Sequence, residues 1–148
     1  MTSEGLSPET QAKLDEFWET VKNNKSVKEL FEKVRQERQV KIAGLLKEAE
    51  NGDPDAQYEV AVLYDPEDCP GSPSDEIEAV KWYRKAAENN HYFACCSLGR
   101  LYEYGDYGLE KDWEMAAMWY RKAMTVPNAD GNYTARMNLT YLLEAMEE

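Results

Sequence analysis

The run Trp-Tyr-Arg-Lys-Ala occurs twice, at Trp82–Ala86 and at Trp119–Ala123, and the two copies are 37 residues apart. The matching extends outward. Glu78–Glu88 lies over Glu114–Thr125, and upstream Ala56-x-x-x-Val60-Ala61-x-x-Tyr64 lies over Ala94-x-x-x-Leu98-Gly99-x-x-Tyr102, displaced by 38. Self-similarity at this period marks a chain built from stacked two-helix units, each too small to bury its apolar face alone. Small residues at Ala61/Gly99/Thr140 and Ala86/Ala123 let helix backbones approach closely. Trp82/Trp119 and Tyr83/Tyr120 then fill the seams between neighbouring pairs.

Helix signals fall in order along the chain. Ser7-Pro8-Glu9 combines a capping hydroxyl, a first-turn proline and a carboxylate at the positive dipole end. Leu14, Phe17, Trp18 and Val21 follow at helical spacing, and Asn23-Asn24-Lys25 ends that helix. Ser26-Val27-Lys28-Glu29 reads as a capping box opening the next. Its stripe runs through Val27, Leu30, Phe31 and Val34, then resumes at Ile42, Leu45, Leu46 and Ala49. The polar run Arg35–Gln39 between them leaves open whether this helix is continuous or bent. Asn51-Gly52-Asp53-Pro54 stops it. The periodicity then predicts A and B helices over about 54–65 and 75–89, a second pair over about 92–104 and 112–125, and a last A-type helix over about 132–147.

These positions carry a family resemblance. The pattern Ala94, Leu98, Gly99, Tyr102, a loop with Gly105 and Gly108, then Asp112, Ala116, Trp119, Tyr120, Lys122 and Ala123 resembles Sel-one-like repeats (SLR), relatives of the tetratricopeptide repeat. The match covers roughly residues 52–146. The first copy departs from it between Tyr64 and Asp75, where a proline-rich acidic connection replaces the Gly-x-Gly turn. The resemblance implies an all-α fold, a short right-handed α/α superhelix (solenoid) of tandem helix-turn-helix repeats. Repeats are expected over 51–89 and 90–126, with a partial, capping copy over 127–148. Residues 1–50 form an N-terminal helical pair that reads as a degenerate capping repeat, since a solenoid needs ends with polar outer faces.

Composition narrows the function classes. The chain carries a net charge of −12, unevenly placed. Residues 1–50 hold 9 Lys and Arg against 10 Asp and Glu, and residues 51–148 hold 8 against 19. A region this acidic argues against nucleic acid or an anionic membrane as partner; it favours a basic partner, or simply serves solubility. No apolar run has the length of a membrane span, and MTSEGLSPET lacks the features of a secretory leader. Three cysteines, two of them adjacent, do not make a disulfide framework. A cytoplasmic protein is expected.

With Val60, Leu98 and Leu139 taken as the centre of each A helix's core face, positions at −5, −2, +2 and +5 fall on the opposite side. There stand Asp55, Tyr58, Val62 and Asp65, then Phe93, Cys96, Arg100 and Glu103, then Thr134, Met137, Tyr141 and Glu144. A face meeting only water should be polar, and this one is partly aromatic. In the family resembled, A helices line a groove that holds peptides or partner helices. All of these face residues except Asp55 and Thr134, ten residues, are therefore the expected partner-binding set. Asp65, Glu103 and Glu144 recur in register as an acidic rim for a Lys/Arg-containing segment. The face with Tyr141, Leu142 and Met146 offers a route to self-association.

Chemistry is sparse. His91 with Cys69, Cys95 and Cys96 lacks the paired spacing of a zinc site, and no nucleophile or phosphate-loop motif is present. The expectation is a non-enzymatic protein-interaction module needing no cofactor and no metal. An acidic antagonist masking a toxin, of immunity type, is an alternative within that class. A hydrolase of the kind credited to cysteine-rich relatives is the rival, and this chain lacks their regular cysteine pairs.

Overall fold

The computed structural model describes residues 7–65, 75–128 and 131–148. These form helices α1 (Pro8–Asn23), α2 (Lys25–Glu50), α3 (Pro54–Tyr64), α4 (Glu76–Glu88), α5 (Tyr92–Tyr104), α6 (Trp113–Thr125) and α7 (Tyr133–Glu147), and the described residues include no strand. The proline-rich connection and Cys69 lie outside the described residues.

Capping chemistry sets the boundaries. Ser7 Oγ accepts from Thr10 N–H to start α1. The second start differs from expectation: Asn24, not Ser26, caps α2, its Oδ1 accepting from Ser26 and Val27 N–H at 2.9 and 3.3 Å. A single extended residue therefore links α1 to α2, which runs unbroken through Arg35–Gln39. In the repeats, Asp53 and His91 cap the A helices α3 and α5, and Asp75 and Asp112 cap the B helices α4 and α6. Gly105 ends α5 at φ 73°, a left-handed conformation that glycine adopts without a Cβ penalty.

The chain divides into two compact units, residues 1–39 and 40–148. The second holds the core. Successive helices pack pairwise, α3 on α4, α4 on α5, α5 on α6 and α6 on α7, which is the stacking of an α/α solenoid. Ala56, Val60, Ala61, Ala86, Ala94, Leu98, Leu101, Ala123 and Ala135 are buried, with Trp82, Tyr83, Trp119 and Tyr120 between them. Gly99 marks the closest approach: a methyl group there would lie 2.5 Å from Tyr120 Cε1. The last stretch of α2 belongs to this unit. Ile42 and Ala49 are buried, and buried Gln57 ties α3 to it by donating to the Ala49 carbonyl at 2.9 Å. In the first unit, α1 buries no residue.

Candidate functional site

The ten expected residues separate into two places and a remainder. At the N-terminal end of α5, Tyr58 stacks on His91 with ring centroids 4.4 Å apart, and Phe93 stands 6.1 Å from Tyr58 with 47% of its surface exposed. Val62 is half-buried against the core. His91 is held from both sides: its Nδ1 accepts from Ala94 N–H at 3.2 Å, and its Nε2 lies 3.3 Å from Asp55 Oδ1. Burial lowers the imidazole pKa below its ordinary value, which the Asp55 carboxylate partly offsets. The cap requires an unprotonated Nδ1, so this histidine serves helix α5 as a neutral acceptor.

At the other end of α5, about three turns away, a cleft of about 190 Å³ opens between α5 and α7. Arg100, Glu103 and Tyr104 line it from α5, Asn138 and Tyr141 from α7, and Tyr120 from α6. Tyr104 and Tyr141 are 63% and 60% exposed. Tyr120 donates its hydroxyl to Glu103 Oε2 at 2.7 Å; burial and that carboxylate push the phenol far above its ordinary pKa. The cleft thus presents two exposed aromatic rings together with a guanidinium, a carboxylate and a carboxamide. Three of the expected residues, Arg100, Glu103 and Tyr141, meet here. Tyr104, Asn138 and Tyr120 were not anticipated. Met137 is half-buried and Glu144 exposed elsewhere on α7.

Two placements correct the expectation. Asp65 is only 1% exposed and cannot form a rim; it accepts from Tyr83 Oη at 2.7 Å and from Tyr107 Oη at 2.5 Å. Cys96 is buried in the core, because α5 is packed by α4, α6 and α7. The acidic register has a structural cause. Tyr83 and Tyr120 occupy the same position in successive B helices, and each donates to the carboxylate at the C-terminal end of its own A helix. Of the three acids, Glu144 is exposed, while Glu103 is half-buried at the cleft wall.

Little here is reactive. Burial pushes the Cys95 thiol up to about 11, and its Sγ donates to the Ala87 carbonyl at 3.5 Å. Such a thiol packs as a small apolar group. Among the described residues no group of His, Cys, Asp and Glu is placed to hold a metal ion. No helix formed by them is long and apolar enough to cross a membrane.

The Sel1 repeat family matches residues 54–91 and 93–124. A Sel1 repeat protein from Oxalobacter formigenes is 37% identical over 62% of this chain, with a TM-score of 0.55. A protective antigen present in uropathogenic Escherichia coli strains, displaying an SLR fold, is 25% identical over 81% of this chain, with a TM-score of 0.62. The chain spans 37% of the first and 25% of the second. No curated protein matches it significantly.

Proposed function

The chain belongs to the Sel1-repeat family, whose members generally mediate protein–protein interaction, and we propose that it is a non-enzymatic docking module whose binding surface is the α5–α7 cleft. The cleft itself carries this reading. Its exposed rings, Tyr104 and Tyr141, supply rigid apolar area at low entropic cost, as binding anchors do. Arg100, Asn138 and Glu103 offer donors and acceptors to a partner's main chain and one polar side chain. The volume suits a side chain with its adjoining backbone, and a polypeptide segment is the ligand of matching chemistry. The aromatic group of Tyr58 from α3 with His91 and Phe93 at the N-terminal end of α5 adds a second contact.

With Asp65 internal, selection for a basic segment no longer rests on an acidic rim. The excess of acid in residues 51–148 still steers a basic segment toward the surface at long range. The test is capture of partners from the source cell by the wild-type chain and by Tyr58→Ala/Phe93→Ala/Tyr141→Ala, read by mass spectrometry. The triple variant is expected to lose the partners. Recovery of the same proteins by both forms would end the reading.

A further inference from the structure

The stripe that the proposed docking surface leaves unused is at the other end of the chain. Leu14, Phe17 and Trp18 on α1, and Leu30, Phe31 and Val34 on α2, are each at least 40% exposed. All six lie on the apolar faces of their helices, at three- and four-residue spacing. Phe17 and Trp18 form an edge-on pair with centroids 5.5 Å apart, a rigid aromatic knob. Covering the six would remove roughly 700 Å² per chain from water, close to the roughly 800 Å² per partner of a stable interface.

Charge and connection point to one occupant. Helix α1 carries Glu9, Asp15, Glu16 and Glu19 against Lys13 and Lys22, a net −2. The first half of α2, Lys25 to Arg38, carries five Lys and Arg against three Glu, a net +2. The two segments are complementary in charge and alike in apolar pattern, yet α1 does not pack along α2. Only Asn24 separates them, and an antiparallel helical hairpin needs a connection of about two to five residues. What one chain cannot close on itself, two can close reciprocally. The acidic α1 argues against an anionic lipid surface, which asks for a basic amphipathic face.

We propose that α1 and the first half of α2 pair with the same segments of a second copy, α1 of each chain lying on α2 of the other, to make a symmetric dimer. The proposal is independent of the cleft. It is tested by sedimentation equilibrium of the full chain across about 1–200 µM, where a species of twice 17.1 kDa is expected. Phe17→Ser/Trp18→Ser and Leu30→Ser/Phe31→Ser should each weaken the dimer by about 30-fold or more. Their mixture should re-form it, because one seam then joins an intact α1 to an intact α2. Tyr141→Ser/Met146→Ser, on α7, should dimerise like the wild type. A wild-type chain of 17.1 kDa throughout would overturn the proposal, as would undiminished dimers of the N-terminal variants, a mixture that gains nothing, or loss of the dimer in the α7 variant.

Discussion

Asp65 and Glu103 stand at the same place in successive repeats, and they do different work. Each stands in the C-terminal turn or cap of its A helix, and each accepts a hydroxyl hydrogen bond from the tyrosine of its own B helix. Asp65 is also reached by Tyr107, from the loop between α5 and α6, and the two phenols shut it away from water. Tyr107 holds a positive φ of 55°, a costly backbone for a non-glycine residue, so the surrounding contacts must hold it there. Glu103, one methylene longer, meets Tyr120 and still forms part of an open cleft wall. One repeated tie is thus a sealed fastening in the first copy and the edge of an open cleft in the second.

The largest effect should come from the pair that does not differ. Trp82 and Trp119 are both buried, with Lys85 and Lys122 set over their rings at 4.2 and 5.3 Å. Either Trp→Ala should cost about 3–5 kcal/mol in denaturant unfolding. A large difference between the two would show that the repeats are not equivalent even in their seams. Next come the carboxylates. Asp65→Ala should cost about 3 kcal/mol, since two hydrogen bonds to a buried charged group are lost. Glu103→Ala should cost about 1 kcal/mol, because water in the cleft can replace the carboxylate at Tyr120. Equal losses would erase the contrast.

The smallest effect concerns another pair at matching positions, the caps Asp53 and His91. Folding lowers the pKa of His91, so the unfolded chain takes up the proton more readily. The contribution of this cap is complete above the ordinary histidine value of 6.5 and is lost as pH falls below it. A thermal-melting series should show up to about 1 kcal/mol of stability lost over that range. His91→Asn, which keeps a capping oxygen, should remove that part of the slope. An unchanged slope would mean that the imidazole cap contributes nothing.

The repeats were legible because their pattern is local. The observed bounds of α3 to α7 fall within one or two residues of those read from caps and periodicity. The cleft was half legible. Helix-face arithmetic brought Arg100, Glu103 and Tyr141 to one side, but Tyr104 and Asn138 lie on helix flanks and Tyr120 comes from another helix. Asp65 was misplaced because its partners are 18 and 42 residues away, a closure that a single helix cannot reveal. The start of α2 was misread because Asn24 and Ser26 both suit a cap, and Asn24 Oδ1 is the group that receives the first N–H donors.

The direct test is a pair of affinities, measured by titration calorimetry against the partner captured by the wild-type chain, under conditions where both variants are fully folded. Glu103→Ala should bind at least about tenfold more weakly, while Asp65→Ala, the less stable of the two, should bind as the wild type does. The reverse order, or equal loss in both, would contradict a binding surface at the α5–α7 cleft.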